Sequence, residues 1–549
     1  MFRWPVLLVG LGIVAFAAPW WNIPRDQADS AGMLAHLHAL FVDADLLFDD
    51  DYAALRMSPL FAFVTDEGLV SNHWPAGATW LQAPGYALGV AASAVLAEFG
   101  VGRSDPLGVV AVLGVRAWAV LVVAGMTMVV ARWTTAGQSD ASTAAARRAG
   151  MGVAAAFLLG TPLAYYALES PLRPHLWGAA VCLAFTGIWW KKPWGAPWAR
   201  TVALASLAGL ATYVRPQLAP MWLLVVHDAW DGPDRVRRIA LSGVVFGLWP
   251  AAHLRTQLWM YGSQLGEYGG SVSHHTTYFL TSTHHGVLPW CPVLLLAAIA
   301  LVWAVAKRQR GAWLILLLIV VQVWLDGGMR AIEPRTVLGT RTWAGGVSFG
   351  PRKLLDVLPL LLPAVAAFVD EVRRRGYGRV LAAVTALLCL PTVLLLFSAW
   401  LDPGATTGGI MTSTEYFAAL KRPFDGAAWG QAWAQRKLPV TVALVIGAGS
   451  ALMLLGCAAL WARWLISRSD DPDTPLRAAP ILATLGLLVV HGWLAVLMMR
   501  SDSAREAQPG RMLEAARRMT PLHYATVRRI GAHHEELRAR LGEGAAPPR

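Results

Sequence analysis

Charge is scarce in this sequence. Asp, Glu, Lys and Arg together make up 15% of the 549 residues, against about 25% in an ordinary soluble domain. That excludes a conventional water-facing surface over most of the chain. Cysteine is scarcer still, with 4 residues: Cys182, Cys291, Cys389 and Cys457. None forms a C-x-x-C pair, so neither a disulfide framework nor a cysteine zinc site is expected. Acids are outnumbered, 34 against 46 Lys and Arg. The basic residues fall mostly in short segments between apolar runs. That pattern is a topology signal and does not suggest nucleic acid. A repeat of fixed period is also missing, which excludes a solenoid.

Long apolar runs are what the chain has in plenty. Apolar residues make up 56% of it and the mean hydropathy is +0.47. Segments such as 440–462 and 381–400 approach the ~20 residues that cross a bilayer as a helix. They are too continuous for the alternating strands of a barrel. The expected fold is therefore an all-α, polytopic membrane protein. Of the 27 tryptophans, Trp20, Trp21, Trp133, Trp189, Trp190, Trp230 and Trp400 lie near run ends, where aromatic belts anchor helices. The first apolar stretch, 5–21, reads as an uncleaved helix, because it continues into Trp20 and Trp21.

About thirteen spans follow from the pattern: 5–21, 107–133, 150–168, 176–190, 199–214, 217–230, 238–257, 287–306, 312–326, 354–370, 379–400, 438–464 and 479–498. The segment 77–97 is long enough to span but is interrupted by Gly and Pro. Treating it as re-entrant or interfacial puts Arg147/Arg148, Lys191/Lys192, Arg235/Arg237/Arg238, Lys307/Arg308/Arg310, Arg373/Arg374/Arg375 and Arg463/Arg468 together on the cytoplasmic side. Residues 1–400 then form the main transmembrane module with its first outer loop at 22–106. Residues 401–498 add the last helices and an outer loop, and 499–549 a helical tail on the outer face. Arg116 falls within a span, where a functional role and snorkelling toward the outer face compete.

The acids that are present cluster. Arg25–Tyr52 holds Asp26, Asp29, Asp43, Asp45, Asp49, Asp50 and Asp51. Asp residues commonly cap helices and turn loops, but a carboxylate at an interface can also take a proton from an attacking hydroxyl. Met33, Leu34, Leu37, Leu40 and Phe41 recur at helical spacing there, as in a helix lying in the interface. The expected outer loops also collect LESPLRPHLWG (168–178), YVRPQ (213–217), the histidine-bearing loop 263–286 and RTWAGGVSFGPRK (341–353). A one-sided set of polar loops on a helical scaffold is an enzyme-like arrangement. His274, His275, His284 and His285, with His36 and His38, could bind a divalent ion, hydrogen-bond a substrate or sit solvated.

These pieces resemble, in order and spacing, the GT-C superfamily of membrane glycosyltransferases, which includes protein mannosyltransferases and the aminoarabinose transferase of lipid A. The run Asp43–Tyr52 follows a D-G-D-L-D-x-x-N-D-Y-like pattern, with Ala44 for Gly and Asp50 for Asn. Gly68, Asn72, Trp74, Pro75 and Gly77 form the next piece. Tyr165, Tyr166, Glu169 and His175 follow, then Arg215-Pro216. Ser282, His285, Gly286, Trp290 and Pro292 come next, and last Trp343, Gly345, Gly346, Ser348, Phe349, Gly350 and Arg352. The resemblance covers about residues 1–400.

The resemblance implies an inverting transfer of a sugar from a polyprenyl-phosphate carrier to an acceptor hydroxyl, at the outer face of a bacterial inner membrane. It puts the family's first-loop acid on Asp29. Asp26 is the second catalytic candidate, or a neighbour that raises the pKa of Asp29 by like-charge repulsion. The leaving phosphate wants fixed cations, and Arg341, Arg352 and Lys353 are candidates, with Arg215 next. Glu169, His175 and His285 complete the substrate-binding set. The run 43–51 reads as a turn and a cap. No cofactor is expected, with a divalent metal held by Glu169 and Asp29 the open alternative. The expected partners are the lipid-linked sugar, a glycan, lipid or protein acceptor, and membrane lipids. Two other readings are a polymerase or ligase using a lipid-diphosphate donor, and a glycolipid transporter. The transporter lacks the inverted repeat and midplane ionisable groups such proteins carry.

Overall fold

The computed structural model describes residues 28–55, 69–70, 72, 74–100, 104–136, 144–190, 197–262, 276–328, 349–402, 413–428 and 474–507. The expected spans 5–21 and 438–464, with Asp26, Arg341, His274, His275 and the tail beyond 507, lie outside them. The described residues fold as helices and connecting turns. Four helices are long and apolar enough to cross a membrane: Gly77–Glu98, Val109–Ala136, Gly378–Leu401 and Leu485–Asp502.

The first loop begins with α1 (Ala28–His38), which runs on into a π-helical turn, Ala39–Asp43. Ala44 ends it in the left-handed region at φ 54°, and the short α2 (Asp49–Ala54) follows. Met33, Leu34, Leu37 and Leu40 are all fully buried. The apolar stripe read as a membrane-surface face is therefore turned into the protein, and only Phe41 of that set is exposed.

Helices α3 (Gly77–Glu98) and α4 (Val109–Ala136) pack antiparallel. A Cβ on Gly85 would lie 2.7 Å from the Gly114 carbonyl oxygen, and one on Gly89 2.5 Å from that of Ala111. The backbones thus meet directly, the close approach small residues permit between membrane helices. α3 starts against the backbone of Tyr213 and Val214 and ends beside the first turns of α4.

The other end of α4 sits elsewhere. Its Trp133 packs on Gly187, near the last turn of α7 (Pro174–Trp190) and the first turn of α8 (Pro197–Val214). There Arg200 donates to the carbonyls of Ile188 and Trp189 and to Asp228. Neither end of α3 reaches this Arg200 end of the bundle. By length and hydropathy α3 could span a membrane.

Three basic loops converge on that same Arg200 end. Asp228 closes α9 (Trp222–Trp230), and it pairs with Arg200 at 2.8 Å, Arg310 at 3.1 Å and Arg238 at 3.6 Å. Arg238 opens α10 (Arg235–Tyr261). Arg310 lies between α13 (Leu294–Ala306) and α14 (Ala312–Gly328). Glu371, near the end of α15 (Leu362–Arg374), is within electrostatic reach of Lys307. The grouping expected from charge alone is thus seen for these loops.

Several spans expected to be continuous are interrupted at or beside prolines. The span 150–168 divides into α5 (Ala144–Leu159) and α6 (Leu163–Leu168) at Gly160-Thr161-Pro162. After α11 (Thr276–Thr281), the span 287–306 divides into α12 (Val287–Trp290) and α13 at Cys291-Pro292. The 217–230 and 354–370 segments open as 3-10 turns, Pro216–Met221 and Arg352–Leu361. Proline removes a donor and disfavours α geometry in the residue before it. α16 (Gly378–Leu401) and α17 (Ser413–Lys421) follow.

The last described helix, α18 (Thr474–Ala507), runs unbroken through the expected tail boundary at 498. It is tied to the first loop: Trp493 donates to the Leu40 carbonyl at 2.9 Å, and the Leu46 amide donates to Ser501 Oγ at 2.7 Å. The last described helix thus holds the first loop at the π-helical turn and again just beyond Ala44.

Ala44 occupies a conformation that costs an L-residue roughly 1–2 kcal/mol, part of which glycine would return through its more flexible unfolded chain. Ala44→Gly is expected to stabilise the protein by about 0.5–1 kcal/mol, read as a higher unfolding temperature in detergent.

Candidate active site

Asp29 sits in the first turn of α1. The return of the first loop shapes its surroundings. Asn72 donates to the Gly32 carbonyl at 3.1 Å and accepts from the Trp74 amide at 3.3 Å. His36 Nε2 lies 2.9 Å from the Trp74 carbonyl. The Trp74 indole lies flat against Gly32, where a Cβ would strike the ring, and its Nε1 donates to Asp29 Oδ1 at 3.2 Å. The N-x-W piece and the glycine one turn after Asp29 act together to fix one carboxylate oxygen.

The other oxygen belongs to the distant loop. Arg352 Nη1 donates to Asp29 Oδ2, joining residues 323 positions apart. Gly350 makes the turn before it, at φ 61° in the left-handed region. Phe349 is pinned by Tyr166, whose hydroxyl donates to the Phe349 carbonyl at 3.1 Å and accepts from its amide at 3.3 Å. Tyr165 stacks on the Phe349 ring, with centroids 4.4 Å apart. The Tyr-Tyr pair therefore serves as the mount for the Arg352 turn. Arg173 Nε reaches to 3.9 Å from Asp29 Oδ2.

These cations decide the state of Asp29. Burial raises a carboxyl pKa, but here Arg352 and Arg173 outweigh it, helped by the Trp74 hydrogen bond, and Asp29 is held well below the ordinary range. Asp26, whose like charge would raise Asp29, lies outside the described residues; the charged neighbours described around Asp29 are guanidiniums. The carboxylate stays partly open, with 26% of its side chain exposed.

A second acid lies behind the first. Asp356, fully buried in the 3-10 turn after Arg352, forms an ion pair with Arg215, whose Nε lies 2.9 Å from its Oδ2. Arg215 Nη1 donates to His175 Nδ1 at 2.8 Å, and that nitrogen lies 3.6 Å from Asp356 Oδ2. Room for the carboxylate comes from Gly178, whose Cβ would stand 2.6 Å from Asp356 Oδ1. His175 is buried and orients Arg215. Arg215, Arg352, Arg173 and Lys353 all lie within its electrostatic reach. Burial brings the Lys353 ammonium down to about 8, with Asp326 opposing and the Arg352 and Arg215 guanidiniums adding. Four cations around three carboxylates, Asp29, Asp326 and Asp356, leave an excess of positive charge suited to an anion.

Other expected residues take different places. Glu169 faces Arg116 across 3.9 Å. Arg116 is buried and points at a carboxylate, so it does not snorkel to the surface. His285 is buried at φ 61°, stacked on His284 at 4.5 Å and edge-on to Trp290 at 5.0 Å. It packs a turn against the Trp290–Phe349 contact. Asp26 and Arg341 lie outside the described residues. The sequence reading missed Asp356, hidden in an apolar run, and Arg173, which had only its place in L-R-P-H as a signal.

No family model matches the chain, and no curated protein matches it significantly. Among solved structures the chain is similar to two crystal structures of ArnT from Cupriavidus metallidurans. One is in the apo state, with 18% identity over 93% of this chain and 79% of that one, at a TM-score of 0.41. The other is bound to undecaprenyl phosphate, with 16% identity over 93% and 80%, at the same TM-score of 0.41. That is a weak likeness.

Removing Asp356 strands Arg215 in a buried site. Asp356→Ala is expected to destabilise by about 3–5 kcal/mol, whereas Asp231→Ala, half exposed beside Arg310, should cost about 0–1 kcal/mol. Thermal unfolding of the two variants in detergent compares them.

Proposed function

We propose that this chain transfers a sugar from a polyprenyl-phosphate donor to an acceptor hydroxyl, with Asp29 as general base. The observation that carries the reading is the partly open Asp29 carboxylate, set at one end of an apolar helix bundle and ringed by Arg352 and Arg173, with Lys353 and Arg215 close by. The acceptor O–H loses its proton to Asp29 as its oxygen attacks the anomeric carbon. The bond from that carbon to the phosphate oxygen breaks on the opposite side, giving inversion. The polyprenyl phosphate leaves with the electron pair, and the cations take up its charge. The convergence of basic loops on the Arg200 end supports placing Asp29 at the outer face of a bacterial inner membrane.

A carboxylate paired with Arg352 is a weak base. The donor phosphate resolves this, because it competes for the same guanidinium, which suits a bidentate phosphate contact. When Arg352 turns to the phosphate, Asp29 loses its strongest stabilising charge and its basicity returns toward that of an ordinary carboxylate. Base strength is then coupled to donor occupancy. Asp29 stays masked while the site is empty, and becomes competent once the donor is seated.

Transfer by the reconstituted protein tests the reading. With polyprenyl-phosphate sugars, Asp29→Asn is expected to lower turnover by roughly 10²–10⁴-fold while still binding donor. Full turnover in that variant would remove Asp29 from the mechanism. Lipid moved across vesicles without sugar transfer would sink the enzyme reading, and preference for a diphosphate donor would move the protein to the polymerase or ligase class.

The donor phosphate also reports on Lys353. As pH rises through about 8 this ammonium loses its proton, so donor KM should increase above that pH. Lys353→Ala should start with a higher KM and lose the rise, and an unchanged profile would exclude Lys353 from phosphate binding.

A further inference from the structure

The end of α1 away from Asp29 carries a second cluster that the proposed transfer does not use. His38 closes α1, Asp43 closes the π-helical turn, and Asp51 lies in α2. His38 Nδ1 is 2.8 Å from Asp43 Oδ2 and 2.7 Å from Asp51 Oδ1. These three donor atoms lie within 4.8 Å of one another, the one such group of three metal-type donors among the described residues.

The lengths are those of hydrogen bonds, but the directions are not. His38 Nδ1, Asp43 Oδ2 and both Asp51 oxygens are buried without an aligned hydrogen-bond partner. One ring nitrogen has a single N–H and cannot point it at two carboxylates at once. The side chain of Asp51 is fully buried, so water does not readily satisfy Oδ2. The hydroxyls of Tyr52 and Tyr86, both within electrostatic reach of Asp51, are buried and unpartnered as well. Buried polar atoms left this way cost free energy unless something occupies the space between them.

The backbone supports the convergence. The left-handed turn at Ala44 follows Asp43 directly. Phe48 packs edge-on to His36 at 5.0 Å and stacks with Tyr52 at 6.0 Å, which presses α2 onto α1. Trp493 and Ser501 of α18 hold the turn from outside.

We propose that His38, Asp43 and Asp51 form a binding site for one divalent transition-metal ion of the zinc type, separate from Asp29. An imidazole with two carboxylates suits Zn2+, whereas Ca2+ prefers an all-oxygen shell. Bonds of about 2.0–2.2 Å in a tetrahedron separate ligands by about 3.3 Å, so a modest outward movement of three side chains admits the ion. The fourth position takes water or a tyrosine hydroxyl. The ion would bridge the end of α1 to α2 and so brace the helix that presents Asp29. Its role is therefore to hold structure, and it supplies no step in sugar transfer.

The test uses the full chain, purified in detergent and stripped with a chelator. His533 and His534 are replaced by Ala to remove an unrelated histidine pair. Zn2+ alone is then added and bound metal is counted, with the unfolding temperature as a second readout. One ion per chain and a raised unfolding temperature are expected. His38→Gln and Asp51→Asn should each weaken binding by roughly 100-fold or more, beyond the 10–100-fold typical of outer-shell changes, and should abolish the thermal shift. Both readouts should survive His284→Gln/His285→Gln. No bound Zn2+, binding unchanged in both ligand variants, binding lost with the His284/His285 pair, or uptake of Ca2+ in preference to Zn2+ would each overturn the proposal. Should a single variant fail to fold, the metal count and thermal shift of the parent protein with Zn2+ against Ca2+ still decide.

Discussion

The ion pair between Asp29 and Arg352 is the constraint on which the rest of the site depends. It joins the first loop to the last loop of the main module, and the local geometry around it serves one partner or the other. Gly32, Asn72 and Trp74 fix the carboxylate from one side. Tyr165, Tyr166, Phe349 and Gly350 fix the guanidinium from the other. Neither partner could find the other through local sequence. Both arrive because helices 323 residues apart pack at the same end of the bundle, so the pair is a product of tertiary structure.

The opposite end shows what an ion cluster looks like when stability is its whole task. Asp228 receives Arg200, Arg238 and Arg310, and Arg200 spends its remaining donors on two helix-end carbonyls. Its polar hydrogens are matched and its aspartate is nearly closed to solvent. Such a cluster locks α7, α8, α9 and α10 together, and breaking one partner would leave buried charge uncompensated. The Asp29 cluster differs in two ways. Its carboxylate is partly open, and its cations exceed its acids. That imbalance is a cost in an empty site and an advantage in one that receives an anion.

Much of this was legible in the sequence, at the level where pattern and physics coincide. Run length and hydropathy gave the helices, and basic loops gave their common end. Asp29, Arg215, Arg352 and Lys353 were named from motif order, and the structure gathers them around one site. What the sequence hid was hidden for physical reasons. Asp356 stands in an apolar run that reads as lipid-facing until Arg215 and His175 are seen to meet it. The stripe Met33, Leu34, Leu37 and Leu40 has the same periodicity whether it faces lipid or protein, and here α3 and other helices bury it. His175 and His285 were named from motif order, and the structure buries both, His175 against Arg215 and His285 against Trp290. Asp29 was read beside Asp26, its neighbour in sequence, whereas the fall in its pKa follows from Arg352 and Arg173, its neighbours in space.

Such a fall is a reason to expect coupling within the proposed mechanism. A general base works best when its pKa approaches the ambient pH, and a carboxylate bound to a guanidinium is far from that condition. Evolution toward a stronger base could simply have removed the arginine. Keeping it makes sense where the arginine has a second partner in the reaction cycle. A phosphate carries more charge than a carboxylate and offers more acceptor oxygens, so it can draw Arg352 away without any large movement of the backbone. The aspartate is then released at the moment when an electrophile stands beside it, and water reaching the empty site meets a masked base. Under this reading the ion pair between Asp29 and Arg352 is the resting state of a switch, set by charge and reset each time the lipid phosphate departs.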